Sequence, residues 1–327
     1  MNESKPIGVV LLQLGGPDSL QSVQPFLYNL FCDPDIIDLP FAFLFRKRLA
    51  KYISTKRAPK VQELYKSIGG KSPILDLTNR QARALEQELR KTINANVYVA
   101  MRYWHPMTDA VVNQLYNDGV GRIVLLPLYT HFSKTTTGSS VKEWNRILKL
   151  QNRPSLPTAV VDHYYDHPMY IDAIVGNINQ TLDKVPASEK QKVHLVFSAH
   201  GTPIKLVKDG DPYSAHIRKT YEAVVQKGNF GLAHHLCFQS KVGPQKWLEP
   251  SLDQTIERLG KENVSHVVVI PVAFVSDHIE TLSEINMEAR EEAHELGIHY
   301  FDMMPGLNTQ PLFISALADL VLRKVSA

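Results

Sequence analysis

The sequence has 327 residues, of which 44% are hydrophobic and 21% charged, and Lys plus Arg exceeds Asp plus Glu by 36 − 33 = +3. This length predicts one large α/β domain or two smaller ones, and the composition excludes a disordered chain. The small net charge argues against nucleic acid as the main partner, and no apolar run reaches the roughly 18 residues that span a bilayer.

Six short apolar runs predict buried parallel strands, because each is continuous rather than alternating with polar residues. In chain order they are IGVVLLQL, NVYVAMRY, RIVLLPLY, VHLVFSAH, HHLCFQS and HVVVIPVAF. Helix-like sequence follows each run. This alternation is typical of a doubly wound α/β fold.

The order of these runs repeats along the chain. VVLLQLGGP resembles LVFSAHGTP, VYVAMRYWHP resembles HLCFQSKVGP, and RIVLLPLYTHFS resembles HVVVIPVAFVSD. We therefore predict two similar Rossmann-like halves, residues 1–150 and 151–327, each with a parallel sheet flanked by helices. Ligands bind outside the carboxyl ends of such strands, so we expect the six strand ends to converge on an active cleft between the halves.

The first half carries an insertion. Gly15 to Arg102 spans 87 positions whereas His200 to Ser240 spans 40, and most of the 47 additional residues lie between residues 20 and 75. Within the insertion, residues 39–57 combine phenylalanine and leucine with many lysines and arginines. This pattern suits either an anionic, apolar surface such as a bilayer or an amphipathic ligand, and it equally suits an ordinary surface helix.

Two strands of the second half end in groups that handle protons or metals. His200 closes VHLVFSAH, while Asp277, His278 and Glu280 follow HVVVIPVAF. Imidazole and carboxylate together suit a divalent metal of borderline hardness, and they also suit proton removal near neutral pH. A histidine on its own is more commonly structural, which is the alternative for His200. No HExxH spacing occurs, so a closed zinc site is disfavoured.

Glu280, Glu284 and Glu288 recur every four residues, a spacing that stacks carboxylates on one helical face. The stack is either a solvated face or a polar track that leads into the cleft. Because it begins beside His278, we favour a track along which cations or protons move. Passing cations, or protonation of one carboxylate, would offset the repulsion.

Strand ends elsewhere carry groups suited to anions. MRYWHP places Arg102 and Tyr103 at one strand end, and SKVGP places Ser240 and Lys241 at the matching one. Such cations suit carboxylate or phosphate, and phosphate is the weaker prediction because neither GxGxxG nor a P-loop motif occurs. Four aromatic residues could wall a flat ligand or simply belong to the core: Tyr65, Tyr103, Trp247 and Phe274.

The two cysteines, Cys32 and Cys237, are far apart and lack CxxC spacing. They suggest neither a disulfide framework nor a thiolate metal cluster, and they fit a reducing cytoplasm. The first residues, MNESKPIGVVLLQL, lack the basic-then-apolar order of a signal peptide. We therefore expect a cytoplasmic protein that does not cross a membrane.

Six motifs occur in the order and spacing of one known family. They are QLGGPDSLQSVQPFLYNLF, YKSIGGKSPI, MRYWHP, SAHGTP with DGDPY, QSKVGPQKWL and FVSDHIETLSEI. Over nearly its whole length the chain resembles the ferrochelatases. The resemblance implies a chelatase-like fold and a lyase that inserts Fe²⁺ into protoporphyrin IX, with release of two protons, in the last step of haem biosynthesis.

The resemblance also implies roles for individual residues. His200 receives pyrrole protons or ligates the metal, Glu280 is its carboxylate partner, and Asp277 and His278 support the pair. Glu284 and Glu288 extend an acidic line for metal or protons, which a π-type widening of the helix aligns in the family. The implied porphyrin contacts are Leu14, Arg57, Tyr65, Ser72, Arg102, Tyr103, Ser240, Trp247 and Phe274.

Two positions indicate which type of family member this chain resembles. Leu14 stands where members acting on coproporphyrin carry tyrosine, and the long apolar lip at 39–57 is present, so the protoporphyrin type is implied. Lys134 stands where members with a [2Fe-2S] cluster carry their first cysteine, and no cysteine follows Cys237, so we expect no cluster and no permanently bound cofactor. We expect a monomer that binds protoporphyrin IX and ferrous iron and associates peripherally, through the lip, with the inner face of the cytoplasmic membrane.

Three other functions remain open at this stage. A chelatase for cobalt or nickel, or for coproporphyrin III, would share the architecture, since the order of metal affinities does not by itself select iron. A non-catalytic, two-lobed binding protein would need neither His200 nor Glu280 at a strand end. A hydrolase would need a nucleophile, and the sequence has no GxSxG elbow.

Overall fold

The computed structural model describes residues 5–37, 44–241 and 245–326. Phe41 and Phe43 of the predicted lip, and residues 242–244 of the QSKVGP motif, lie outside this part of the chain. The chain divides into two compact units, Met1–His163 with Leu317–Ala327, and Tyr164–Ala316. Each unit is built around its own parallel sheet.

The first unit contains a four-stranded sheet in the order β2-β1-β3-β4. The strands are β1 (Ile7–Gln13), β2 (Ala95–Met101), β3 (Arg122–Pro127) and β4 (Thr158–Val160). Strand β1 pairs in parallel with both β2 and β3, and its residues Val9 to Leu12 are at most 2% exposed. Burial on both faces explains why this strand is a continuous apolar run.

Among the described residues, five α-helices and a short π-helix lie wholly within the first unit. They are α1 (Val23–Cys32), α2 (Arg46–Ser67), α3 (Ile74–Leu89), α4 (Thr108–Asn117), α5 (Ser139–Leu150) and the π-helix Lys134–Gly138. The predicted insertion thus forms α1 and α2, which pack on each other, and the long helix α2 carries the basic sequence from residue 46 onward.

The second unit repeats the same sheet order with β6-β5-β7-β8. Its strands are β5 (Val193–His200), β6 (Ala233–Gln239), β7 (His266–Pro271) and β8 (Tyr300–Met303), all parallel. The six predicted strands are therefore confirmed, as is the α/β fold of two Rossmann-like halves. The sequence reading missed β4 and β8, which are short edge strands of three and four residues.

The helices of the second unit surround this sheet. They are α6 (Pro168–Leu182), α7 (Ile204–Lys208), α8 (Tyr213–Gly228), α9 (Leu252–Lys261), the π-helix Glu280–Ala289, α10 (Arg290–Glu295) and α11 (Pro311–Ser326), which ends in the first unit. Val196 of β5 and Cys237 of β6 share a buried cluster with Ile256 of α9 and Ile285 of the π-helix. This packing sets the π-helix against the strands that end in His200 and Gln239.

Candidate active site

His200 is the last residue of β5, and its side chain is 36% exposed. Its Nδ1 atom lies 2.6 Å from the carbonyl oxygen of Gly201. A carbonyl oxygen only accepts, so Nδ1 carries the hydrogen and Nε2 keeps its lone pair. The Tyr213 hydroxyl donates to the main-chain carbonyl of His200 over 3.0 Å and holds the strand end. His200 is thus a fixed base with an accessible acceptor nitrogen.

Glu280, the first residue of the long π-helix, lies between two imidazoles. Its Oε1 is 3.8 Å from Nε2 of His200, and its Oε2 is 3.5 Å from Nε2 of His278. Nδ1 of His278 donates to the Ser276 carbonyl over 3.2 Å, so its Nε2 also keeps a lone pair when the ring is neutral. Acceptors facing one another in this way are stabilised by a proton or a cation between them.

The charge on Glu280 follows from these neighbours. Burial by itself raises the pKa of this carboxyl, but His200 and His278, when protonated, outweigh burial and lower the pKa to about 2. Glu280 is therefore ionised whenever one of these imidazoles carries a proton, and its carboxylate stabilises that proton.

The pKa of Glu284 shifts in the opposite direction, although Glu284 lies one turn along the same helix. Burial, followed by the charge of Glu280, raises the pKa of Glu284 to about 7, while a hydrogen bond from Ser240 acts against this rise. A pair of carboxyls with pKa values pushed apart in this way provides one ionised and one protonated group at the same pH.

The acidic line continues to Glu288, which is exposed and lies 3.5 Å from the Ser283 hydroxyl through its Oε1. The charge of Glu288 also contributes to the raised pKa of Glu284, so the three carboxylates are electrostatic neighbours. Helix Glu280–Ala289 is a π-helix, as the resemblance implied. The line runs from the partly buried Glu280 to solvent.

Asp277 uses both carboxylate oxygens within the protein. Oδ1 accepts from the main-chain N–H of Gly306 over 3.0 Å, and Oδ2 accepts from the Asn308 amide over 2.8 Å. These bonds tie the loop after β7 to the loop after β8. Asp277 thus holds in place the segment that carries His278 and Glu280, and each of its oxygens accepts a hydrogen bond within the protein.

Two aromatic residues lie near the end of β5. The Phe274 ring centroid lies 4.3 Å from that of His278 and 6.4 Å from that of His200. Trp247 packs beside Gly201, where a Cβ atom would stand 3.2 Å from Trp247 Cε3 and 2.9 Å from the Gln239 carbonyl oxygen. Only glycine leaves both neighbours undisturbed. Phe274 thus lies beside both imidazoles, and Trp247 lies beside the residue that follows His200.

Two of the predicted site residues in the first unit, Arg102 and Tyr103, bond to a buried carboxylate. Arg102 Nη2 lies 2.7 Å from Asp33 Oδ2, and the Tyr103 hydroxyl donates to the same oxygen over 2.7 Å. Ser139 also hydrogen-bonds to it. Burial alone raises the pKa of Asp33, but Ser139, Arg102 and Tyr103 together lower it. The sequence reading missed Asp33, which no motif marked.

The exposure of Tyr103 is 1%, so its polar end serves this internal network. Tyr65 and Ser72 are also buried, at 3% and 7%, and a Cβ on Gly16 would stand 2.5 Å from the Ser72 hydroxyl oxygen. Leu14 is partly exposed just beyond β1. Arg57 is exposed on α2, with its guanidinium 5.8 Å from the Phe31 ring centroid.

The second unit therefore brings together His200, Ser240, Trp247, Phe274, Asp277, His278, Glu280, Glu284 and Glu288. The first unit contains Leu14, Arg57, Tyr65, Ser72, Arg102 and Tyr103. Among the described residues, no three His, Cys, Asp or Glu side chains are arranged to hold a metal ion jointly.

Known proteins resemble this chain along nearly its whole length. A family model described as "Ferrochelatase" matches residues 6–325. The "Ferrochelatase" of Geotalea uraniireducens (strain Rf4) is 47% identical over 320 residues, which cover 98% of each chain. The "Ferrochelatase" of Aquifex aeolicus (strain VF5) is 45% identical, covering 97% of this chain and 99% of that one.

Solved structures share the fold at much lower identity. "SirB from Bacillus subtilis with Fe3+" has a TM-score of 0.58 and 12% identity, covering 98% of this chain and 95% of that one. The sirohydrochlorin chelatase SirB of Bacillus subtilis subspecies spizizenii, in complex with cobalt, has a TM-score of 0.55 and 9% identity, covering 98% and 96%.

Proposed function

Because the chain belongs to the ferrochelatase family, we propose that His200 and Glu280 carry out the family's reaction, insertion of Fe²⁺ into protoporphyrin IX with release of two protons. The single observation that carries this assignment is the Nε2 lone pair of His200, fixed by its Nδ1 hydrogen bond and 3.8 Å from Oε1 of Glu280. His200 is thus a base whose protonated form is stabilised by the neighbouring carboxylate of Glu280.

The chemistry follows from that geometry. The proton of a pyrrole N–H is transferred to Nε2 of His200, whose lone pair forms the new N–H bond. The electron pair of the broken bond stays on the pyrrole nitrogen, which is then able to bind iron. Glu280 stabilises the imidazolium that forms. After His200 releases its proton, the second pyrrole N–H follows the same route. Both protons leave, and iron keeps its oxidation state as a substrate.

Glu284 and Glu288 extend from this pair to the surface, and we assign them to the passage of iron or protons. Carboxylate oxygens bind Fe²⁺ weakly enough for it to move on, which suits a path better than a resident site. Since Glu284 is about half protonated near pH 7, it exchanges protons for cations over the physiological range.

Porphyrin contacts are assigned from side chains that a ligand can reach. Phe274 lies beside the His200 imidazole and Trp247 beside Gly201, and Leu14 and Arg57 are the accessible candidates of the first unit. We assign a supporting role, rather than direct contact with the porphyrin, to the remaining candidates of this unit: Tyr65, Ser72, Arg102 and Tyr103. We also propose that the two functional halves follow the two compact units, with the boundary after His163 rather than after residue 150, because β4 pairs with β3.

We infer the cellular location and the membrane binding of the enzyme from its helices and its exposed side chains. No helix in the described segments is both long enough and apolar enough to cross a membrane. On and just before α2, Leu44, Phe45 and Tyr52 are 74%, 43% and 64% exposed beside the exposed Lys47 and Arg48. We infer a cytoplasmic monomer that binds anionic membranes through this face. With two cysteines it holds no [2Fe-2S] cluster.

A spectral titration tests the proposed function. The protein is titrated with protoporphyrin IX and, separately, with coproporphyrin III, and anaerobic Fe²⁺ is then added. We expect a shifted Soret band on binding protoporphyrin and its conversion to the protohaem spectrum with iron. Faster conversion of coproporphyrin, or insertion of Co²⁺ but not Fe²⁺, would redirect the assignment to another chelatase.

A further inference from the structure

The main-chain carbonyl of His200 lies where β5 has lost one of its two neighbouring strands. Along β5, alternate residues face the same neighbour, and the Ser198 carbonyl accepts from the Val272 N–H, just beyond β7, over 2.9 Å. Two residues further on, the next donor in this series would be the Phe274 N–H. The chain turns after β7, however, and the Phe274 N–H donates to the Pro271 carbonyl over 3.2 Å. The His200 carbonyl therefore takes its donor from outside the sheet.

The Tyr213 hydroxyl is that donor. Tyr213 is the first residue of α8, is 8% exposed, and donates to the His200 carbonyl over 3.0 Å. The main-chain N–H of Tyr213 donates to the Asp211 carboxylate over 3.0 Å, which fixes the start of the helix. Burial, followed by the charge of Glu280, raises the pKa of the Tyr213 phenol. The hydroxyl therefore keeps its hydrogen, and remains a donor, throughout the physiological pH range.

The peptide group that joins His200 to Gly201 is held at both of its ends. The His200 carbonyl accepts from Tyr213, and the Gly201 N–H donates to the Gln239 carbonyl over 2.7 Å. The next carbonyl along the chain, that of Gly201, lies 2.6 Å from Nδ1 of the His200 imidazole. The orientation of this peptide group thus sets where the Gly201 carbonyl lies, and that carbonyl decides which imidazole nitrogen carries the hydrogen.

We propose that Tyr213 is a positioning residue for the proton-accepting imidazole. Through the main chain of His200, its hydroxyl keeps the Gly201 carbonyl at Nδ1 and so leaves the lone pair on Nε2, the nitrogen that faces Glu280. Without the hydroxyl, the neutral ring also populates the other tautomer, in which Nε2 carries a hydrogen and accepts no proton. The inference rests on the proposed function, in which Nε2 of His200 receives the pyrrole protons.

Removing only the hydroxyl tests this role in the enzyme. Tyr213→Phe keeps the ring, so we expect kcat for anaerobic Fe²⁺ insertion to fall about tenfold, the scale of one lost hydrogen bond, while the KM for iron and the binding of protoporphyrin stay within about twofold. Tyr98→Phe is the matched control, because Tyr98 is 6% exposed and its hydroxyl donates to the Asp118 carboxylate over 2.8 Å in the first unit. It should retain the full kcat.

An NMR measurement tests the same role without reference to activity. Long-range ¹H–¹⁵N spectra of protein labelled at histidine show which ring nitrogen carries the hydrogen, and His200→Ala identifies the signals of His200. At about pH 8, where a histidine is ordinarily neutral, we expect the hydrogen on Nδ1 in the unmodified protein and in Tyr98→Phe. In Tyr213→Phe we expect part of the population to carry it on Nε2.

The outcomes separate the role of Tyr213 from the proposed function. An unchanged kcat for Tyr213→Phe would overturn the inference, and so would a lower kcat with the hydrogen retained on Nδ1. If Tyr213→Phe fails to fold, 4-aminophenylalanine at position 213 replaces it. This residue keeps a weaker donor at the same place, so kcat and the tautomer should shift together and by less. Absence of iron insertion by the unmodified protein would refute the proposed function, whereas an unchanged tautomer in Tyr213→Phe would refute only the role of Tyr213.

Discussion

The Nε2 atom of His200 lies 3.8 Å from Oε1 of Glu280, and the two side chains come from different elements of the same unit, the end of β5 and the start of a π-helix. The pairing places an acceptor nitrogen next to the carboxyl group of Glu280 in a partly buried setting. A proton that arrives at Nε2 is stabilised there without a permanent positive charge on the resting protein.

Removing the charge of Glu280 while keeping its shape is expected to slow iron insertion. Glu280→Gln cannot stabilise the imidazolium of His200, so kcat is predicted to fall by about 10²-fold or more in the anaerobic Fe²⁺ assay. Glu291→Gln, at an exposed position on α10, is the matched control and should retain full activity. Unchanged kcat with only a higher KM for iron would instead make Glu280 a delivery residue.

Glu280 and Glu284 are expected to titrate far apart in the metal-free protein. Carboxyl ¹³C NMR should show Glu284 titrating at about 7 and Glu280 at about 2. The folded-state pKa of Glu284 is raised, so its contribution to stability falls as pH rises from 4.5 to 7. The folded-state pKa of Glu280 is lowered, so the contribution of Glu280 to stability is lost as pH falls below 4.5. Glu284→Gln should remove the upper transition; overlapping titrations near 4.5 would contradict the arrangement.

Arg102 is expected to matter for stability. Asp33 is 1% exposed at its side chain and Arg102 is 16% exposed, so Arg102→Leu leaves a buried carboxylate without its cation. We predict a loss of about 3–5 kcal/mol in the free energy of urea unfolding.

The control for this prediction is Lys91→Ala, which breaks an exposed pair with Glu88 and should cost about 0–1 kcal/mol. A comparably small loss for Arg102→Leu, accompanied by weaker porphyrin binding, would return Arg102 to the substrate contacts that the sequence indicated.

Charge reversal on α2 is expected to weaken membrane binding. Lys47, Arg48 and Lys51 are exposed, and their joint replacement by glutamate should reduce flotation with vesicles rich in anionic lipid, more so at low salt. Arg46 is left unchanged because its guanidinium donates to the Ile37 carbonyl over 2.8 Å.

The matched control reverses three exposed lysines outside α2, Lys91, Lys227 and Lys261. It changes the net charge equally, so an equal loss of flotation would show that total charge rather than this face governs binding. Unaltered flotation of the α2 variant would leave the face without a membrane role.

The sequence predicted the parts of the fold that burial dictates. Central strands such as β1 and β5 are apolar on both faces and therefore visible as continuous runs, whereas β4 and β8 have too few residues for a pattern. Strand ends also predicted His200 and Glu280 correctly as neighbours, because parallel strands and the helices that follow them meet at one edge of a sheet.

Features that depend on pairs distant in sequence were not predictable. Asp33 lies 69 positions from Arg102, and Asn308 lies 31 positions from Asp277, so neither hydrogen bond leaves a local pattern. The positive φ of Ser240 is likewise invisible, since the sequence there offers neither glycine nor asparagine. Only the folded chain shows which polar groups are already paired.

The most direct test of the account is anaerobic insertion of Fe²⁺ into protoporphyrin IX by the His200→Ala variant, with porphyrin binding measured on the same samples. We predict that the variant binds protoporphyrin within a few-fold of the unmodified protein and forms no protohaem above the uncatalysed rate. Turnover equal to that of the unmodified protein would remove His200 from the chemistry and contradict the account.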